Sequence, residues 1–125
     1  MNNYKEMVLW KKAHESTLKV LDITESFPKN NLSEVIIRQI IRSSTSVPAN
    51  IAEGFGGRKG KEFISYLYQA RKSITETDYW LFLTKQRKLI SEKQYSDLTE
   101  KYIEVSKIVN YFIKKLKSNS GETNH

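Results

Sequence analysis

In 125 residues the chain has no cysteine, only two prolines and only five glycines. Without cysteine there is neither a disulfide framework nor a thiolate metal site, and nothing marks an oxidising compartment, so the expected location is the cytosol. The two histidines, His14 and the chain-terminal His125, have no ligand or carboxylate at metal or triad spacing. His14 therefore reads as a satisfied or exposed helix residue. No apolar run approaches the ~20 residues of a membrane span, and the start MNNYKEMVLW carries Glu6 and no apolar h-region, so neither insertion nor an export signal is expected. The glycine cluster from Gly54 to Gly60 invites comparison with a phosphate-binding loop. It fails on spacing: with Gly60-Lys61 as the Gly-Lys step, the first glycine would fall at Phe55 and the final Ser/Thr at Glu62. With no nucleophile set, metal set or cofactor loop, the expectation is a protein without enzymatic activity, metal or cofactor.

What is present is helical periodicity over one domain's worth of chain. A first helix is expected from about Lys5 to about Ser26, with Leu9, Ala13, Val20 and Thr24 on its apolar stripe and Pro28 as its stop. A second should start after Asn30 or Asn31, both good caps, with Leu32, Ile36, Ile37, Ile40, Ile41, Val47, Ile51 and Phe55 apolar. Pro48 lies inside this pattern, which resumes in phase beyond it, so the expected form is a proline-kinked helix whose freed backbone groups are met by Ser43, Ser44, Thr45 and Ser46. In the third helix Phe63, Leu67, Ala70, Ile74, Thr77, Leu81 and Thr84 keep a 4-3 rhythm, the seam of a helix packed nearly parallel or antiparallel to its neighbours. The fourth begins with a capping box, Ser91 with Gln94, and continues through Leu98, Tyr102, Val105, Val109, Phe112 and Leu116. Four long helices on short turns predict an all-α, antiparallel up-down four-helix bundle over 1–117, followed by a disordered polar tail over 118–125. The isoleucine pairs 36/37 and 40/41, together with Trp10 and Trp80, exceed what one bundle obviously covers, which predicts a homo-oligomer.

The formal charge is +7, and its excess falls in the middle of the chain: residues 61–90 hold six bases against three acids, whereas residues 91–125 hold six against five. Such a balance points to an anionic partner, although a solvated face explains it equally well. Arg58, Lys59 and Lys61 lie at the expected start of helix three, where exposed backbone donors favour an anion, and Arg71 and Lys72 follow two to three turns later with Tyr68 and Tyr79 nearby. Basic groups interleaved with aromatics hold phosphates and stack bases. A second constellation is structural: Arg38, Arg42, Asn50 and Glu53 of helix two with Ser73 and Glu76 of helix three can form a polar network that fixes how the two helices meet.

The stretches Leu9-Trp10-Lys11-Lys12-Ala13, Phe27-Pro28-Lys29, Ser46-Val47-Pro48-Ala49-Asn50-Ile51-Ala52-Glu53-Gly54, Lys61-Glu62-Phe63 and Ala70-Arg71-Lys72-Ser73 resemble the four-helix-bundle proteins encoded in intervening sequences of bacterial 23S ribosomal RNA genes. The resemblance spans about residues 5 to 117. That family is in turn similar to the accessory variability protein of diversity-generating retroelements, a basic pentameric barrel that binds nucleic acid and a reverse transcriptase. What the resemblance implies is a closed homo-oligomeric ring or barrel, a pentamer. The chain departs from the family pattern in the turn before Lys61-Glu62-Phe63, where Gly57 and Lys59 stand in place of the usual Arg and Ser, so the serine cap of helix three is missing. Taken together, these readings predict a non-enzymatic oligomer that binds structured RNA, or DNA, through phosphate contacts. The alternative is an adaptor that docks a protein such as a reverse transcriptase or an RNA-processing enzyme.

Overall fold

In the computed structural model, which describes residues 3–56 and 60–120, the chain forms four helices: α1 (Val8–Thr24), α2 (Asn31–Gly56), α3 (Lys61–Gln86) and α4 (Glu92–Ser120). Residue pairs that meet across the helices fix the topology. Thr17 meets Ser44, Ser43 meets Thr77, Arg71 meets Asn110 and Lys12 meets Glu104, so each helix runs antiparallel to the next and α4 closes back on α1. The architecture is the expected up-down bundle.

All seven positions of the α3 seam are buried, and so are Leu98, Tyr102, Val105 and Val109 of α4. These side chains join Leu9, Ala13 and Val20 of α1 and Ile36, Ile40, Val47 and Ile51 of α2 in one core that draws on all four helices. The capping box of α4 forms as its sequence requires: Ser91 Oγ accepts from Gln94 N at 3.0 Å, and Gln94 Oε1 accepts from Ser91 N at 2.8 Å. At the start of α2 the cap is Asn30, whose Oδ1 accepts from Ser33 N at 2.8 Å. Gly60, at φ 78°, precedes α3 without a capping side chain, in keeping with the missing serine, while Gly57 and Lys59 lie outside the described residues. The turn from α3 to α4 is closed by Leu89 N donating to Thr84 O and Lys88 N to Lys85 O, both at 2.9 Å, with Lys88 held at φ 61° where glycine is usual.

Several boundaries and burial assignments differ from the sequence reading. The first helix is not continuous from Lys5: residues Tyr4–Glu6 form a 3₁₀ turn, capped by Asn3 Oδ1 accepting from Lys5 N, and Met7 is extended. The extended residue drops the Met7 side chain into the core, which a continuous helix would carry past it. Leu32 is exposed, and Ser33 takes the buried place on that turn of α2. The excess apolar surface also lies elsewhere than expected. Ile36 and Ile40 are fully covered within one chain, and Ile37 and Ile41 pack partly against the core. Trp10 stacks on His14 with centroids 4.7 Å apart, and Trp80 donates from Nε1 to Glu76 Oε2 at 3.2 Å. Among the described residues the exposed large apolar groups are Val8, Leu18, Leu32, Val35, Tyr79, Phe82, Ile103 and Tyr111. Helix α4 runs to Ser120, past Lys117, and 121–125, including His125, lie outside the described residues.

Two features explain how α2 passes through Pro48 and how closely it meets α3. Proline at 48 has no N–H for the carbonyl of Ser44, the acceptor one helical turn earlier. The replacement donor comes from another helix: Thr17 Oγ1 of α1 donates to Ser44 O at 2.9 Å in the buried interior. The serines and threonine next to the proline do something else, since Ser43, Ser44 and Thr45 hydroxyls bond to carbonyls of Ile40 and Ile41. Near the end of α2, a Cβ on Gly54 would stand 2.8 Å from Phe63 Cδ1 and 2.9 Å from Tyr66 Cβ, so glycine is what allows α2 and α3 to close together there.

Thr17→Val should lower stability by about 1–3 kcal/mol, because it strands a buried carbonyl without a donor. In a Pro48→Ala background the restored N–H serves Ser44, and the cost of Thr17→Val should shrink to well under half. Chemical denaturation of the four proteins of this double-mutant cycle checks it; an equal cost in both backgrounds would show that the hydroxyl does not serve the proline gap.

Candidate nucleic-acid interface

Helices α3 and α4 form a hairpin whose two ends differ in charge. Residues 60–75 and 105–120, brought side by side by the antiparallel packing, contain seven Lys/Arg and a single acid, Glu62. The other end of the hairpin, residues 76–104, contains five bases and six acids. At that end carboxylates take up the cations: Lys85 pairs with Glu92 at 3.7 Å and Lys93 with Asp97 at 3.1 Å. At the basic end the partner of Arg71 is neutral, with Nη1 donating to Asn110 Oδ1 at 2.9 Å.

Of the five expected contact residues, Lys61, Arg71 and Lys72 are exposed on α3, while Arg58 and Lys59 lie outside the described residues. Ten residues separate Lys61 from Arg71, about 15 Å along the helix at 1.5 Å per residue. The structure adds a second row that the sequence reading did not select, Lys107, Lys114, Lys115 and Lys117 of α4. Tyr68, half-buried on α3, lies between the rows, with Arg71 Cζ 4.8 Å and Lys117 Nζ 5.4 Å from its ring centroid. Tyr111 is exposed beside Lys115, whose Nζ is 5.8 Å from the ring. Tyr79, in contrast, sits toward the other end and packs edge-on against Trp80. The signal for the second row was in the sequence: acids of α4 stop at Glu104, and every charged residue from 105 to 120 is lysine.

The expected structural network forms in part. Arg42 Nη2 donates to Glu76 Oε2 and, at 3.0 Å, to Gln39 Oε1, tying α2 to α3. Ser73 Oγ donates to Ser46 Oγ at 2.9 Å, and Asn50 Nδ2 donates to Ser46 Oγ at 2.9 Å and to Ser46 O at 2.8 Å. Thr77 Oγ1 donates to Ser43 Oγ at 2.8 Å one turn further along. Arg38 and Glu53 stand outside it: both are exposed, and Glu53 lines a shallow cleft with Tyr4, Ala49, Ala52, Gly56 and Glu62. Spacing along α2 does not separate them, since 38 continues the four-residue stripe through 42, 46 and 50 and 53 falls within the same arc.

Elsewhere on the surface, Lys12 of α1 and Glu104 of α4 meet at 2.5 Å, a hydrogen bond and an attraction that raise the lysine and lower the carboxylate from their ordinary values. The pair is thus lost on either side of neutrality, when acid protonates Glu104 or alkali deprotonates Lys12. In the core, burial pushes the Tyr102 phenol far up, offset in part by the neighbouring Thr17 hydroxyl. Among the described residues no helix is long and apolar enough to cross a membrane, and no three His, Cys, Asp or Glu residues are grouped to hold a metal ion.

Comparison with known proteins agrees with the fold. Residues 5–111 match the family model described as 23S rRNA-intervening sequence protein. A crystal structure of a protein of unknown function from the S23 ribosomal protein family of Bacteroides thetaiotaomicron is similar in fold, with a TM-score of 0.79 and 30% sequence identity, covering 86% of this chain and 99% of that one. No curated protein matches the chain.

Proposed function

The chain belongs to the family of 23S rRNA-intervening sequence proteins, and from that premise we propose that it is a non-enzymatic protein that binds structured RNA, in preference to DNA, through phosphate contacts at the basic end of the α3·α4 hairpin. The observation that carries the proposal is the segregation of charge, seven cations with one acid at one end of the hairpin against five with six at the other. A surface with so large a cationic excess attracts a polyanion, and side chains spread over about 15 Å of helix match a run of a few phosphates rather than a single base. The family's printed name concerns a ribosomal RNA insert, which favours RNA as the polyanion.

Two further elements complete the proposal. Copies assemble in the cytosol into a closed ring, a pentamer, through the apolar groups left exposed on each bundle, so that every basic end is presented several times and weak sites add up. Helix α2 bends at Pro48, which shapes the side of the bundle that meets a neighbour.

Electrophoretic binding of the purified protein to RNA and DNA of several shapes tests the function. The expected result is modest affinity, little sequence preference and a steep loss of binding with salt. Binding of no nucleic acid even at low salt would overturn it, and a shallow salt dependence would point to docking on a protein instead. Native mass spectrometry should report a closed oligomer; a monomer at micromolar concentration would remove the ring.

A further inference from the structure

The α3·α4 hairpin places four side chains in an arrangement that neither helix could make alone. Tyr68 and Arg71 are one turn apart on α3, and Lys117 and Asn110 face them from α4. Two cations within 6 Å of one ring centroid is an unusual arrangement, because like charges repel and an ammonium on a flexible stem ordinarily moves into water. The negative face of the tyrosine ring offsets that repulsion. Asn110 Oδ1 then fixes the guanidinium through one Nη1 donor at 2.9 Å, one of five that the fork carries. Tyr68 is itself anchored, being half-buried and packed against the core, so the ring holds its place while the cations gather around it.

We propose that Tyr68 holds Arg71 and Lys117 together as a two-cation clamp for one phosphodiester of an RNA backbone. The inference rests on the phosphate-binding reading above and goes beyond it by assigning Lys117 as a contact residue and Tyr68 as a positioning residue. A phosphodiester fits because it is an anion with two free oxygens, one for the guanidinium fork and one for the ammonium. A stacked base fits less well, since the ring is already engaged by two cations and offers a poor platform for a third partner. Recognition at this point is therefore independent of base identity.

Fluorescence anisotropy with a labelled RNA hairpin, followed across a salt series, tests the clamp. Tyr68→Phe keeps the ring and should bind as the wild type does, whereas Tyr68→Leu releases the cations and should weaken binding about three- to tenfold. Because both cations serve one phosphate, the double variant Arg71→Gln/Lys117→Gln should make the logarithmic salt slope shallower by about one, where two independent contacts would remove about two. Circular dichroism melts identify any variant that fails to fold, and Tyr68→Phe controls for packing. Wild-type binding of Tyr68→Leu, or a double variant that loses two, overturns the clamp while leaving RNA binding in place. A wild-type protein that binds no RNA overturns both proposals.

Discussion

Replacing Leu67 with alanine should lower the unfolding free energy by about 2 to 5 kcal/mol, a fall in Tm on the order of 10 °C for a bundle of this size. Leu67 is completely buried, the second of the seven α3 seam positions, in the core shared by all four helices. Removing its branched end loses the transfer free energy of the deleted carbons and leaves a cavity that long, mutually braced helices cannot easily collapse into. Thr77, three seam positions further along, is equally buried but hydrogen-bonded to Ser43, so its substitution acts through a stranded hydroxyl instead of a void. Thermal melts by circular dichroism check the effect. A loss below about half a kcal/mol is what exposed positions show, and it would mean that the seam does not face the core.

The second large effect concerns charge. Changing Lys61, Arg71, Lys72 and Lys114 together to glutamine should reduce RNA affinity at moderate salt about 10- to 100-fold and make the salt slope shallower by about two to three. All four side chains are exposed, so the melt should stay close to that of the unmodified protein. The effect compounds because each phosphate contact releases a condensed counterion independently of the others, and the proposed ring would repeat every lost contact. Glutamine at Lys85, Lys88 and Lys93, from the end of the hairpin rich in acids, supplies the comparison: those changes should alter binding far less. Equal losses from the two sets would mean that net charge alone, not the basic end, governs binding.

The difference between these two predictions in their reliance on structure reflects what kind of information each needs. Burial of Leu67 was legible in the 4-3 spacing, because a helix of 3.6 residues per turn converts that spacing into one face whatever else the chain does. The caps at Asn30 and Ser91 were legible for a similar reason, since a capping side chain acts within three residues of itself. Four helices, their order and their approximate ends are thus local properties, and the family resemblance was carried by contiguous segments of the same kind. Where local signals competed, the reading slipped. Residues 5–7 look helical by pattern, yet Asn3 caps a tighter turn and Met7 is extended, with its side chain in the core.

Everything that depended on two helices meeting required the tertiary structure. The donor for Ser44 behind Pro48 is a threonine 27 residues away, and no rule of spacing connects them. The basic end was hidden for a related reason: averaging over residues 91–125 cancels the acids before Glu104 against the lysines after it, although these groups stand at opposite ends of a long helix. Antiparallel packing is what sets Lys107 to Lys117 beside Lys61 to Lys72 and gathers Arg71 and Lys117 around Tyr68. By itself the amino-acid sequence determined the four helices, their buried faces and their caps, because hydrophobic periodicity and hydrogen bonding within a turn are short-range. Which side chains face one another across those helices, and so where the charge collects, was decided by core packing, which alone sets the register between segments far apart in the chain.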